Sequence, residues 1–348
     1  VIWLIPLAYQ VLAIIACFFR RGQESVRDGR KRSQNVSVLK PIRGTEGLRE
    51  AIESHLGQAE ILCGVTSPED AAFLGQFPVK IVKSHTKTAN AKVGVLQDLA
   101  AAADTEILIV NDADIVVPPD YVARVTAPLA DSEIGLVTCL YRPIGTTFAA
   151  RFEGLGVSTD FAPSTLVARM VGVDEFALGS TMAFRRSDLD RIGGFPAIAD
   201  YLADDYQLGH RIHALGLKCV LSDVIVETHL GGGWRDVWNH QIRWARTIRV
   251  SKPWGYLGLP VTLATLWAVV AAILGRYEIA AVLLVARMIM AIAGGWFVLK
   301  SHDVLKLCWA IPFRDLLGFA IWCVGLFGRT VMWRSRQLTL DGRGRIVV

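Results

Sequence analysis

Short apolar runs alternate with amphipathic stretches across residues 36–221, and longer apolar stretches lie on both sides of that region. Aliphatic and β-branched runs at 36–39, 60–65, 79–83, 106–110, 134–141 and 217–221 predict strands. Apolar positions at helical spacing predict helices at Leu48–Leu56, Val93–Ala102 and Pro119–Leu129, the last opened by Pro118-Pro119. Strands alternating with helices predict an α/β fold, a mainly parallel sheet with helices on both faces. Residues 142–180 are apolar, glycine-containing and irregular, and are expected to floor a binding site. Neither a tandem repeat nor a low-complexity tract interrupts the pattern.

The longer apolar stretches predict membrane elements. Residues 2–19 are uncharged and lie near the lower limit of the ~17–25 residues needed to span a bilayer. A cleaved signal peptide is disfavoured, because no basic region precedes this stretch and no small-residue cleavage site follows. Residues 257–275 and 279–299 predict two further spans. Arg287 lies within the second, where a charge must be paired or face protein. Arg20, Arg21, Arg27, Arg30, Lys31 and Arg32, set against only Glu24 and Asp28, place the following residues in the cytosol. The tail, with Arg329, Arg334, Arg336, Arg343 and Arg345, is expected on the same side. Residues 303–328, interrupted by Ile311-Pro312-Phe313-Arg314-Asp315, are therefore read as a re-entrant or interfacial hairpin. The organisation expected is a transmembrane helix at 1–20, a cytosolic α/β domain at 21–254 with an interfacial helix at 234–250, a membrane region at 255–335 and a basic tail at 336–348.

Composition narrows the class. Apolar residues make up 52% of the chain, too many for an ordinary soluble domain. The net charge of +5 sits largely in the basic flanks of the apolar stretches, which argues against nucleic-acid binding. Six cysteines without a close-spaced pair exclude a two-plus-two zinc site and predict reduced thiols.

Candidate chemistry begins at Asp112-Ala113-Asp114, directly after the apolar run 106–110. Two carboxylates at the carboxyl end of a strand could hold a divalent cation or simply make a solvated turn. Lys40, after the first strand, could reach a phosphate or remain solvated, and Asn90 could cap the helix that contains Lys92. The pair Asp204-Asp205 stands before a helical pattern, where acids serve as caps or as a base. His240, Arg243, Trp244 and Thr247 share one helix face, where the Arg243 guanidinium could meet phosphate oxygens or the whole face could lie on a membrane surface. Gly231-Gly232-Gly233 predicts a tight entry to that helix.

Taken in order, Asp112-x-Asp114, Asp204-Asp205 and Arg243-Trp244 resemble the membrane-bound family-2-like glycosyltransferases. The opening Val36–Gly44, Lys92-Val93, Gly179-Ser180-Thr181-Met182 and the apolar carboxyl-terminal third are similar to the ceramide glucosyltransferase group, including its bacterial hopanoid-modifying relatives. The resemblance covers residues 33–335. It implies a nucleotide-diphospho-sugar transferase (GT-A-like) fold and an inverting transfer of one hexose or N-acetylhexosamine. The implied donor is a UDP-sugar, the acceptor a hydroxyl of a hopanoid or ceramide-like membrane lipid, and the cofactor Mg²⁺ or Mn²⁺.

Residue roles follow from the same resemblance. Asp205 is the implied base with Asp204 beside it, and Asp114 with Asp112 the metal ligands. Lys40, Lys92, Asp112 and Arg243 are placed on the nucleotide-sugar, and Trp244, His240 and Ser180 on the acceptor. Where the family has a base-recognising Asp this chain has Ser67, which leaves Glu69 or Asp70 to substitute. His240 stands where processive polysaccharide synthases usually have Gln, so a single-sugar transfer fits better. The alternatives are transfer to a polyprenyl phosphate or a growing glycan, and a non-catalytic lipid- or nucleotide-binding membrane protein. The expected location is a bacterial inner membrane, with the catalytic domain facing the cytosol.

Overall fold

The computed structural model describes residues 2–21, 35–44, 47–333 and 336–347. Most of the basic linker after the first apolar stretch, and Arg334 and Ser335 of the tail, lie outside the described residues. The chain divides into two compact units, one of Ser25–Tyr141 and Asp174–Thr228, the other of Val1–Glu24, Arg142–Val173 and His229–Val347. Residues 142–173 and 229–254, expected in the cytosolic domain, thus group with the apolar helices.

The first unit is organised on a seven-stranded sheet: β1 (Val36–Pro41), β2 (Glu60–Val65), β3 (Lys80–Lys83), β4 (Ile107–Val110), β5 (Ile134–Gly145), β6 (Met182–Arg185) and β7 (Lys218–Leu230). Their order is β3-β2-β1-β4-β6-β5-β7. Strands β1 to β4 are mutually parallel, and β6 runs antiparallel to both β4 and β5. The mixed sheet and its covering helices agree with the α/β class expected from the sequence.

Side-chain alternation explains why both faces are covered. Leu39, Leu108, Val110, Met182 and Phe184 enter one core with Val93, Leu96 and Leu99 of the helix Ala91–Ala102. Val36, Val38, Ile109 and Ala183 enter another with Tyr121, Val122 and Val125 of the helix Tyr121–Thr126. Gly64 lets the first helix lie directly on β2, since a Cβ there would be 2.3 Å from Val95.

β1 and β4 are neighbours in the sheet, whereas β2 and β3 extend away on the far side of β1. The chain therefore reverses its winding between β1 and β4, and their carboxyl ends open the crevice where such sheets bind ligands. Lys40-Pro41 and Asn111–Asp114 sit there. β6 escaped the sequence reading.

The second unit holds the apolar helices. Tyr277–Val298 and Cys308–Gly325 are each long and apolar enough to cross a membrane, and Pro253–Val261 with Ala264–Ile273 forms a pair bent by 52°. Leu4–Arg20 is a shorter apolar helix. The interruption expected at 311–315 is absent. Pro312 lies in the first turn of the helix Ile311–Gly325, where no intrahelical N–H is lost, and the helix continues through Arg314 and Asp315. Arg287 is paired as its position requires. It is fully buried and makes a bidentate bond to Asp315, Nε to Oδ2 at 2.8 Å and Nη2 to Oδ1 at 2.7 Å. Three short strands, β8 (Thr330–Trp333), β9 (Arg336–Leu340) and β10 (Ile346–Val347), form a separate antiparallel sheet in the tail.

Candidate active site

The site in the sheet-bearing unit is built around Lys92. Its ammonium lies 2.9 Å from Asp112 Oδ1 and 2.9 Å from Asp204 Oδ2. Asn90 holds the lysine in place, accepting the Lys92 backbone N–H at 3.1 Å as the helix N-cap. Asn90 also donates from Nδ2 to the Tyr201 carbonyl at 2.8 Å, tying the segment before Asp204 to the same helix start.

Asp205 opens the helix Asp204–His213 next to this pair. Its Oδ2 accepts the Gly179 N–H at 3.0 Å, and its Oδ1 accepts the Tyr206 N–H at 2.7 Å. Gly179 is a point of convergence. A Cβ there would lie 3.3 Å from Asp112 Oδ2 and 3.3 Å from Asp205 Oδ2, so a larger residue would press on both carboxylates. Sequence order alone does not reveal that the second carboxylate pair and the glycine turn meet the first.

Electrostatics separate the roles. Burial and the neighbouring Asp204 push the Asp205 carboxyl up to about 6, with Lys92 pulling the other way. Burial opposes the charge on Lys92, but Asp112 and Asp204 outweigh it and hold the ammonium above its ordinary value. A cation locked between two carboxylates, beside a third carboxyl titrating near neutrality, is an arrangement typical of acid–base sites. Asp112 is the open member, with 44% of its side chain exposed against 15% for Lys92.

Asp114 follows on the same loop, where its Oδ2 accepts a hydrogen bond from the Thr228 hydroxyl at 2.6 Å. Among the described residues no three His, Cys, Asp or Glu side chains cluster as a complete metal site. Two hard carboxylates instead suit a cation such as Mg²⁺ or Mn²⁺, which keeps waters and substrate oxygens in its remaining positions.

Several sequence-predicted site residues do other work. Lys40 is fully buried, and its ammonium donates to the carbonyls of Asp112 at 3.2 Å and Ile115 at 3.4 Å. It anchors the carboxylate loop from beneath rather than facing a nucleotide, and burial lowers its pKa to about 8. Ser180 is also buried, with its hydroxyl spent on the Cys139 carbonyl at 2.9 Å, so it shapes the glycine turn and leaves no donor for an acceptor. Ser67 caps the helix Pro68–Leu74 by accepting the Asp70 N–H at 3.1 Å. Asp70 is buried and accepts the Gly44 N–H at 3.0 Å, which leaves Glu69 as the exposed acid of that segment.

Asn111, passed over as a functional residue, is the buried pivot of the loop. It donates from Nδ2 to the Ser180 carbonyl at 2.6 Å and to the Thr181 hydroxyl at 3.2 Å, which joins the carboxylate loop to the glycine turn. The available signal was an amide placed directly after the apolar run 106–110, ahead of the two carboxylates.

His240, Arg243 and Trp244 belong to the other unit, on the helix Trp234–Ser251. His240 and Trp244 pack edge to face at 4.6 Å, and Trp244 lies 6.0 Å from Phe161. Arg246 and Arg249 of the same helix are committed to the carbonyls that follow the helix Ile311–Gly325, at Leu326, Phe327, Gly328 and Thr330.

Comparison with known proteins gives this geometry a family. Over 206 residues the chain is 27% identical to ceramide glucosyltransferase 1 of Caenorhabditis elegans, a stretch covering 54% of this chain and 44% of that relative. The chain thus matches less than half the length of that protein. Among solved structures, a mycobacterial protein is 16% identical with a TM-score of 0.40, covering 63% of this chain and 78% of its own. GalNAc-T7, solved with UDP, GalNAc and Mn²⁺, is 14% identical with a TM-score of 0.44, covering 65% and 52% respectively. Residues 1–346 match glycosyl transferase family 21 as a whole, and the chain belongs to that family.

Proposed function

We propose that this glycosyltransferase is membrane-bound and inverting, and that it moves one hexose or N-acetylhexosamine from a UDP-sugar to a hydroxyl of a membrane lipid. The observation that carries the reading is the convergence of Asp112 and Asp205 at Gly179, with Lys92 clamped between Asp112 and Asp204. A single displacement needs a base on one side of the anomeric carbon and charge compensation for the leaving diphosphate on the other.

Asp205 takes the proton of the acceptor hydroxyl as its oxygen bonds to the anomeric carbon. The bond from that carbon to the diphosphate oxygen breaks, and the electron pair leaves with UDP. A titration near 6 keeps Asp205 ionised at neutral pH while leaving it basic enough to accept a proton. Lys92 holds Asp112 and Asp204 in fixed positions through the exchange. Asp114 and Asp112 would hold Mg²⁺ or Mn²⁺, which when bound would offset the charge developing on the diphosphate.

The lipid acceptor is supported by the apolar helices carried on the same chain and by the likeness to a ceramide glucosyltransferase. A hopanoid or a ceramide-like lipid has the required hydroxyl and apolar body. The test is incubation of membranes containing the protein with a panel of labelled UDP-sugars, with the labelled lipid identified by mass. Labelled lipid is the expected product. Label appearing only in a water-soluble polymer or on a polyprenyl phosphate would overturn the acceptor assignment.

A further inference from the structure

Glu153 is a carboxylate where its helix has every reason to be apolar. The helix Phe148–Gly156 packs Phe152 and Leu155 against Val304, Leu307 and Ala310, and Glu153 itself is only 3% exposed. A buried carboxylate is costly unless its oxygens are bonded. Here one oxygen serves two adjacent residues of the Arg-Trp helix. Glu153 Oε1 accepts from His240 Nδ1 at 2.7 Å and from Gln241 Nε2 at 2.7 Å. Gln241 passes the constraint on, because its Oε1 accepts from Arg314 Nη2 at 2.7 Å. Gly156, one turn along from Glu153, makes room for that guanidinium: a Cβ there would lie 2.3 Å from Arg314 Nη2.

The two helices are also registered at their ends. The Thr147 hydroxyl donates to the Gly232 carbonyl at 2.6 Å, and Phe152 meets Trp234 at 5.3 Å. His240 is therefore held from below, in a rotation fixed by a neighbouring element. An ionised carboxylate can only accept, so the proton in the Glu153 bond sits on Nδ1, and Nε2 is the ring nitrogen left for another partner. The ring is also pinned against Trp244 and stays 26% exposed, so it remains reachable.

We infer that Glu153 is a positioning residue for lipid binding within its own unit: it fixes the orientation and tautomer of His240, so that Nε2 is the ring nitrogen offered to a polar group of the acceptor lipid. This rests on the lipid-glycosylation reading above and adds to it a residue outside the family motifs. Glu153 itself touches neither substrate. Its bond to Gln241, with Arg314 behind, sets the helix rotation on which His240 depends.

The test compares Glu153→Leu, which fills the volume without an acceptor atom, with Glu153→Gln, whose Oε1 can still accept from both His240 and Gln241. Each variant is assayed in membranes for steady-state dependence on acceptor lipid and on UDP-sugar, for UDP binding, and for backbone hydrogen exchange across 234–251. Glu153→Leu should lower kcat/KM for the acceptor about tenfold or more, the scale on which partners that orient a histidine act. UDP binding should be unchanged, and exchange should quicken within 234–251. Glu153→Gln should recover most of both losses.

An equal loss with the Gln variant would overturn the proposal, as would unchanged acceptor dependence in a Leu variant that still binds UDP. Failure of the parent to glycosylate any lipid would instead overturn the acceptor reading. Hydrogen exchange would then decide the positioning role alone: faster exchange confined to 234–251 in the Leu variant but not the Gln variant supports it, and unchanged exchange refutes it.

Discussion

Replacing Asp205 with Asn tests the base and the environment that tunes it. The carboxyl is pushed from 3.8 up to about 6, chiefly by burial and the charge of Asp204. That rise of about two pH units amounts to roughly 3 kcal/mol against the ionised form in the folded protein. The sign follows from the direction. The cost is absent below the ordinary carboxylate range, grows as pH rises from about 4, and is present in full above about 6. Asn carries no charge, so it removes this cost at neutral pH. It also removes one acceptor: the two Asp205 oxygens take the Gly179 and Tyr206 N–H groups, and an amide can keep only one of these bonds. A lost partner for a buried N–H costs about 1–3 kcal/mol, and less for these part-buried groups. The two effects oppose each other, so the melting temperature at pH 7.5 should change little. Transfer, by contrast, should fall about 10²-fold or more, the usual scale of general-base catalysis, while UDP binding survives. The parent's kcat/KM should rise with pH through a midpoint near 6, and the variant should lose that limb. The assay is labelled-sugar transfer to lipid across pH 5–8, paired with thermal unfolding and UDP binding. Transfer within a few-fold of the parent would refute the assignment and move the role to Asp204.

Lys92→Met should be the more damaging change to the fold. It leaves the buried Asp204 without its cation, which costs about 3–5 kcal/mol when one partner of a buried pair is removed. Because Lys92 pulls the Asp205 value down, any activity left in this variant should show its acidic limb at higher pH than the parent. Asp114→Ala should abolish the response of transfer to added Mn²⁺ or Mg²⁺ and weaken UDP-sugar binding, and full parent activity in excess chelator would sink the metal reading. A single cysteine at position 335 in a cysteine-depleted background reports the side on which the tail lies. The basic flanks predict protection from an impermeant thiol reagent in intact cells, and labelling would mean that 303–328 crosses.

Most of the sheet was legible because its strands are β-branched or aliphatic runs bounded by turns. The expected and observed limits of β2 coincide, and those of β1, β3 and β4 differ by two residues or fewer. β6 was not, because Met182-Ala-Phe-Arg185 is short and has no β-branched residue. It pairs as a strand because β4 and β5 flank it on both sides. The carboxylate motifs of the site could be read as linear strings, but the distinction between facing a substrate and supporting a loop could not. Lys40 ends a strand and Lys92 opens a helix, both at positions where a lysine could equally be solvated, yet one is fully buried on carbonyls and the other is clamped by acids. Nothing local distinguishes them, since burial depends on which strand becomes the neighbour. Ser67 and Asp70 make the same point: a capping serine and a buried loop anchor occupy the segment in which a nucleotide contact was sought.

The same limit explains the apolar helices. Hydropathy treats Arg287, Arg314 and Asp315 as three isolated charges, and a reader who must avoid bare charge in an apolar segment will introduce a break at Pro312. Their partners lie far away in sequence. Arg287 takes Asp315 and the Thr159 carbonyl, Asp315 Oδ2 also accepts the Thr265 hydroxyl at 2.6 Å, and Arg314 takes Gln241. Once these bonds are formed, the objection to a continuous helix through 311–315 disappears, because a satisfied charge facing protein is tolerated where an unsatisfied one facing lipid is not. The case against a crossing by Cys308–Gly325 then rests on the basic tail alone, and the two considerations point in opposite directions. Charge bias on short flanks orients a span but cannot shorten it. The labelling of position 335 therefore weighs the arginines of the tail directly against a helix whose own charges are already paired.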